Sequence, residues 1–172
     1  RGWGRRTLTT TMPAHKHPVA PNLLNRKFRP ERASVAWASD ITYVATGEGW
    51  LYLCVVIDLY SRRVIGWSMS KSLSADIVLS AFWMAVKGRK APSGVIFHSD
   101  RGVQYASKRF RRVLRRRRYL QSMSRRGNCW DNACVESFFK TLKTELIGKT
   151  IYPSRKAAER AIFEYIEVFY NR

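Results

Sequence analysis

A mixed α/β fold is predicted by three observations. Three apolar runs separated by short turns read as an antiparallel meander. A helical pattern and a fourth apolar run follow. Strand-like and helix-like segments then alternate to the end of the chain. The expected product is a five-stranded mixed sheet, three antiparallel strands then two parallel, flanked by helices. With 172 residues, 45% of them hydrophobic, the chain has enough apolar material for one domain with a core.

Residues 1–33 read as a basic linker or arm. They hold four of the six prolines and eight basic residues against one acid, Glu31, with little periodicity. The first residue is not Met, which implies that something precedes it. The folded core is placed at 34–172. In residues 35–44, Trp37, Ile41 and Tyr43 fall on one side of a strand and Asp40 on the other. A turn through Gly47 and Gly49 leads to residues 50–57, an almost continuous apolar run suited to a strand buried on both faces. A polar turn then leads to a third strand at 64–69. Ser74 can cap a helix over 75–87 that turns Val78, Ala81, Phe82 and Ala85 inward, with Gly88 and Pro92 at its end.

Residues 95–97 form a short strand that runs straight into His98-Ser99-Asp100-Arg101-Gly102. Ser107 can cap a helix over 108–118, with Phe110, Val113 and Leu114 inward and arginines outward; a fifth strand follows at 119–123. After a polar loop, Asp131 or Asn132 caps a helix whose buried stripe is Val135, Phe138, Phe139, Leu142 and Leu146. The last helix starts at Ser154 with Ala158, Ala161, Ile162, Tyr165, Ile166 and Phe169 inward, and reads as cut short. The crossover through 75–87 should lay strand four parallel to strand one, which sets Asp100 beside Asp40.

The charge balance narrows the function. Thirty-two Lys and Arg against twelve Asp and Glu give +20, which on a folded chain points to nucleic acid first. Membrane binding would need a basic amphipathic helix with an open apolar face, and none is seen. No apolar run reaches the roughly 18 residues of a membrane span, and there is no signal peptide. Cys54, Cys129 and Cys134 are an odd set, read as free thiols in a reducing cytosol. A zinc site at Cys129 and Cys134 lacks two further ligands. Between Asp100 and Asp131 lie eleven basic residues and no acid. The basic helix favours phosphate contact, with Arg112, Arg115 and Arg116 as candidates, and with Arg125 and Arg126 beyond it.

With only twelve acids, each can be placed. Glu31 is in the arm, Glu48 in a hairpin turn, Asp58 at a strand end, Asp76 in a first helical turn, and Asp131 at a cap. Glu145, Glu159, Glu164 and Glu167 sit on helices among basic residues. Asp40, Asp100 and Glu136 remain. Asp40 is in mid-strand, where an unpaired carboxylate is costly to bury. Asp100 follows a strand's C-terminal end, where open α/β sheets place their sites. Glu136 shares a helix face with Lys140 and Lys143 at i, i+4 and i+7, which is either a surface ion pair or a metal-binding acid beside two phosphate-binding lysines. Carboxylates grouped inside a basic chain suit magnesium, and a pair of such ions can assist in-line phosphoryl transfer. Satisfied structural acids are the competing reading. Trp130 either stacks on a base or packs under its loop.

These residues carry a pattern. Segments 37–43, 56–62 and 98–102, and the stretch from Ser122-Met123-Ser124 to Glu136-Ser137-Phe138-Phe139, resemble the transposases of bacterial insertion sequences that share the retroviral-integrase catalytic core. Thirty-five residues separate Asp100 from Glu136, the spacing of that family's Asp-Asp-Glu triad. The resemblance implies a ribonuclease-H-like fold. It implies that Asp40, Asp100 and Glu136 bind two magnesium ions, with manganese as a substitute. It implies cleavage at the ends of a DNA element and attack by the freed 3′-hydroxyl on another phosphodiester. It further implies DNA, both ends and target, as partner, a homo-oligomer as the active form, and a place in the bacterial cytoplasm at the nucleoid. Lys140 and Lys143 match positions that contact the terminal DNA. His98 and Asn128 are candidates for orienting substrate; a packed strand-end role is the other reading of His98. Asp58 is expected to tie down a turn through Arg62 or Ser61. The chain departs from the family in lacking an N-terminal helix-turn-helix region, in its short last helix, and in having no glycine-like turn residue at 115–119. A ribonuclease-H-type nuclease using water alone, and a basic DNA-binding domain without catalysis, are the alternatives.

Overall fold

The long apolar strands dictate three layers, because a sheet buried on both faces needs a cover on each. The structure, a computed structural model, describes residues 15–148 and 150–172, without the side chain of Cys129. Residues 1–14 of the expected arm and the Cys129 thiol lie outside it. The strands β1 (Ala36–Thr46), β2 (Gly49–Asp58) and β3 (Val64–Ser70) form the antiparallel meander. After α1 (Ala75–Arg89), β4 (Ile96–Ser99) returns parallel to β1, and β5 (Leu120–Met123) adds parallel to β4. The order β3-β2-β1-β4-β5 agrees with the expected topology. Among the described residues no helix is long and apolar enough to cross a membrane.

Alternation along the strands divides the core in two. Trp37, Ile41, Cys54 and Val56 face a layer that includes Ile77, Phe82, Phe110 and Leu114. These come from α1 and from α3 (Lys108–Arg117). Phe82 sits at its centre, edge-on to Phe97, Phe110 and Tyr119 with ring centroids 5.6–5.7 Å apart. Ala36, Ala38, Val44, Leu53 and Val55 face the other way, toward Val135, Phe138, Leu142, Ala158 and Ile162. These belong to α4 (Ala133–Leu142) and α5 (Arg155–Glu164). Asp40 has the parity of Ala36 and Ala38, so it points to the α4 side.

Several elements differ from expectation. The helix α1 runs through Gly88 and is closed by Lys90 in the left-handed region (φ 48°). A one-turn helix, α2 (Val103–Ala106), precedes α3 and is too short to show a periodic stripe. Arg118 takes the left-handed turn (φ 54°) between α3 and β5, without a glycine there. Neither Asp131 nor Asn132 caps α4 with its side chain; a 3-10 turn, Cys129–Asn132, leads into the helix instead. Both α4 and α5 widen into π-helical turns, Lys143–Ile147 and Tyr165–Tyr170. Ser74, Ser107 and Ser154 do cap their helices.

The linker is not a detached arm over its described part. Leu24 is 2% exposed and shares the buried cluster of Val135 and Phe138. The backbone N–H groups of Leu23 and Leu24 donate to Ser122 Oγ, at 2.9 and 3.1 Å. Asp131, the expected cap, is a buried hub. Its carboxylate accepts from Arg125 N, Nε and Nη2 at 2.8, 2.9 and 2.7 Å, from Arg26 Nε at 3.0 Å and from Asn22 Nδ2 at 2.9 Å. Bonding to Arg125 holds it far below the usual carboxylate range. Asp58, also buried, accepts from Ser61 Oγ at 2.9 Å, as expected. Its cation is Arg89 rather than Arg62, whose guanidinium turns to Phe28 O and Cys134 Sγ.

A side chain is excluded at Gly66, where an added Cβ would lie 2.2 Å from Ala81 O and 2.8 Å from Ala85 N. Gly66→Ala should destabilise the chain by about 1–3 kcal/mol through forced separation of β3 and α1. Gly88→Ala, with nothing within 4 Å of the new carbon, should instead stabilise it by up to about 1 kcal/mol; thermal unfolding of the two variants checks both signs. The depressed Asp131 carboxyl gives a pH dependence. Its stabilisation is fully present above the unfolded carboxyl pKa of about 4 and is lost as the pH falls further. Asp131→Asn should therefore be less stable than the parent at neutral pH, with the gap narrowing as denaturation curves are taken below pH ~4.

Candidate active site

The parallel register Ala36↔Ile96, Trp37↔Phe97, Ala38↔His98 carries β1 and β4 forward side by side, and two residues on bring Asp40 and Asp100 to neighbouring positions. Asp40 is half-buried and accepts a hydrogen bond from Ile41 N at 2.8 Å. Burial, then repulsion from Asp100 and more weakly from Glu136, raises its carboxyl well above the usual range, against the pull of Ile41 N–H and Lys143. Asp100 Oδ1 accepts from Gly102 N at 2.8 Å, and a Cβ on Gly102 would stand 2.9 Å from that oxygen. Glycine thus lets the backbone close around the carboxylate.

Glu136, exposed on α4, lines one cavity with Asp40, Thr42, Tyr43, Lys140 and Lys143. Partial burial raises its carboxyl. Lys143 Nζ lies 5.7 Å from the centre of the Tyr43 ring, which stands edge-on to Trp50 at 4.9 Å. A cation is thereby held at the rim of an acid-lined cleft. Among the described residues no three His, Cys, Asp or Glu side chains stand close enough to ligate one ion, and Glu136 acts on Asp40 more weakly than Asp100 does.

The other expected site residues divide. Lys140 and Lys143 share the cavity with Glu136. Arg112, Arg115 and Arg116 are exposed on α3, on the opposite layer. Arg126 is exposed, whereas Arg125 is committed to Asp131. Asn128 Oδ1 accepts from Arg26 Nη2 at 2.8 Å and is occupied by the linker. His98 is the packed strand-end histidine, not a substrate-orienting group. It is buried, with Nδ1 2.8 Å from Ser122 Oγ and Nε2 3.3 Å from Ser124 Oγ. Burial lowers it to about 4, outweighing the pull of Asp131, so it is neutral at pH 7. Trp130 is 68% exposed, which excludes packing under its loop.

Two residues were missed by sequence reasoning. Asn132, buried, has its Nδ2 3.4 Å from Ser39 O, one residue before Asp40, and its Oδ1 has no partner. It stitches the start of α4 to β1, and its place four residues before Glu136 was the available signal. For Asp131 only Arg125, six residues before it, was a local signal; its other two partners lie more than 100 positions away.

Comparison with known proteins places the fold in a family. An integrase core domain model matches residues 30–129, and a second integrase core domain model matches 136–172. Transposase InsF for insertion sequence IS3A of Escherichia coli (strain K12) is 50% identical over 159 residues, 92% of this chain and 55% of the relative. The insertion element IS600 uncharacterized 31 kDa protein of Shigella sonnei is 43% identical over 168 residues, 98% of this chain and 62% of the relative. The chain thus spans little more than half the length of the curated relatives it matches. Among solved structures, a chain of the simian T-cell lymphotropic virus intasome in complex with PP2A regulatory subunit B56 gamma superposes with a TM-score of 0.68 at 21% identity, covering 92% of this chain and 56% of that one. The HTLV-2 integrase catalytic core domain in complex with magnesium (trimeric form) gives 0.60 at 19% identity, covering 81% and 90%. At that identity the likeness is one of fold, the ribonuclease-H-like arrangement. From the family models that span its sheet and its Glu136 helix, the chain belongs to the integrase core domain family.

Proposed function

We propose that the chain is the catalytic core of a DNA transposase, which cleaves phosphodiesters at the ends of an element and joins the freed 3′-hydroxyl to another DNA strand. The observation that carries this reading is Asp40 beside Asp100, each two residues past the last paired positions of β1 and β4, with Glu136, Lys140 and Lys143 on the cavity that Asp40 lines. Half-identity to insertion-sequence transposases over nearly the whole chain supports it.

Magnesium, with manganese as a substitute, fits the donor set. Carboxylate oxygens are its hard ligands, and the ionised form of Asp40, disfavoured by burial and like-charged neighbours, is the form a divalent cation favours. Asp40, Asp100 and Glu136 are the residues that would hold it, as a pair of ions. Bound there, it supplies a lowered pKa for the attacking oxygen and charge stabilisation for the leaving one. Lys140 and Lys143 hold the phosphate backbone as exposed cations. Trp130 offers a face on which a terminal base can stack. In strand transfer the 3′-oxygen forms a bond to phosphorus as the target's own 3′-oxygen leaves, so phosphodiesters are exchanged without net hydrolysis. The HTLV-2 core has been solved in dimeric and trimeric forms. A transposase must hold two ends, so we read this chain as working in a homo-oligomer, on DNA in the bacterial cytoplasm.

Oligonucleotides bearing element ends, incubated with magnesium, should yield joined products. Hydrolysis alone would favour a water-only nuclease. Asp40→Asn, Asp100→Asn and Glu136→Gln should each lower turnover by on the order of a thousandfold and abolish the rise in melting temperature caused by magnesium. Asp40→Asn should also raise the melting temperature of the metal-free chain, since it removes an ionised group that the fold penalises. Variants with unchanged activity and metal binding would overturn the assignment of these three carboxylates. Trp130→Ala should weaken binding to end DNA by about 1–3 kcal/mol without moving the melting temperature, as titration and thermal unfolding together will show.

A further inference from the structure

The loop that delivers Glu136 is not self-supporting. It runs from Arg125 to Asn132, and Arg125 closes it by gripping Asp131 six residues on. That leaves two more hydrogen bonds to the Asp131 carboxylate, and both come from the linker: Asn22 Nδ2 at 2.9 Å and Arg26 Nε at 3.0 Å. Arg26 reaches further, donating from Nη2 to Asn128 Oδ1 at 2.8 Å. Three linker contacts thus fall on one short loop more than 100 residues away in sequence.

The same linker segment is anchored beneath. Leu23 and Leu24 N–H donate to Ser122 Oγ, which also bonds His98 Nδ1, and Met123 N donates to Pro21 O at 3.3 Å. Leu24 is buried in the cluster that holds Val135 and Phe138 of α4. The linker therefore touches both fixed and adjustable parts: strands β4 and β5 below, and the loop and first turns of α4 above.

Position follows from these contacts. Asp131 immediately precedes Asn132, which is bonded to the β1 backbone beside Asp40, and Glu136 lies one helical turn further on. A shift of the Asp131 carboxylate moves the start of α4 and with it the third acid of the site. We propose that Asp131 is a positioning residue for Glu136, and that the docked linker, through Asn22 and Arg26, is what holds it in place. Anything that lifts the linker loosens the third carboxylate while leaving Asp40 and Asp100, fixed by strand pairing, where they are. The proposal rests on the active-site reading of Glu136 for its catalytic consequence, but not for the mechanical coupling.

Hydrogen exchange separates the two. The double variant Asn22→Ala/Arg26→Gln removes the linker's three contacts, yet keeps Leu24 and the Arg125–Asp131 pair, so the core stays folded. Amides in 127–136 should exchange on the order of tenfold faster, the factor expected when a charge-assisted bond is lost from a local opening. Those of β1 and β4 should be unchanged. With end-bearing DNA and magnesium, kcat should fall while KM for DNA holds, and Arg26→Lys alone should retain most of both. Unchanged exchange across 127–136 overturns the proposal, whatever the linker itself does. So does faster exchange spread evenly through β1 and β4, which would make the contact a general stabiliser. If Glu136→Gln proves fully active, the active-site reading fails, while the exchange result still decides whether the linker holds the loop.

Discussion

Parallel pairing of β1 with β4 is the constraint on which the rest depends. It sets a carboxylate in the middle of β1 beside another just past the end of β4, in half-buried positions where charge is poorly solvated. Everything around serves to make that pairing rigid. A parallel return needs a crossover, so α1 must pack across one face of the sheet, and the aromatic cluster about Phe82 fixes it there. The opposite face must then be covered as well, and α4 covers it. The helix that seals the core is thus the one that brings Glu136 to the cavity beside Asp40.

The buried acids divide by how they are satisfied. Asp131 accepts five hydrogen bonds, three from one arginine. Asp58 accepts from Ser61 and from Ser34 N, with Arg89 3.6 Å away. Both are acids whose charge the fold has arranged to accept. Asp40 stands apart: its bond from Ile41 N–H does not offset burial and two like-charged neighbours, so its carboxyl is pushed up while that of Asp131 is held down. A fold that satisfies two buried acids so thoroughly and crowds a third with its own sign sets that third group apart, which is what the proposed cation site asks of it.

The sheet was legible in the sequence because it obeys local rules. Alternation and turn residues mark the strands, serines mark three helix starts, and the right-handed crossover brings Asp100 to Asp40. Elimination among twelve acids could narrow to three because few acids compete in so basic a chain. Failures came where the cause was not local. Asp131 resembled a helix cap because a cap needs only its own turn, whereas its partners Asn22 and Arg26 are joined to it by tertiary folding alone. The linker resembled a free arm because prolines and basic residues hide the single leucine that buries it. Gly88 resembled a stop signal, but the packing of α1 carried the helix past it. His98 stood beside an acid in a motif, and only its burial and the two serines around it reveal that it is spent on structure.

The charge of +20 also acquires a geography. Lys140 and Lys143 border the cavity on the α4 side, whereas Arg112, Arg115 and Arg116 project from α3 on the other side of the sheet. A helix is about 10–12 Å across, so two helical layers and a sheet separate these groups by more than the screening length of about 8 Å at physiological ionic strength. The two basic surfaces therefore act as independent electrostatic sites. Under the proposed function, a strand that enters the cavity meets the lysines, and the arginines of α3 are left to attract a separate length of phosphate backbone. For the proposed reaction, which joins one DNA to another, cations divided between two faces are better placed than the same number gathered in one patch, where the second polyanion would be repelled by the first.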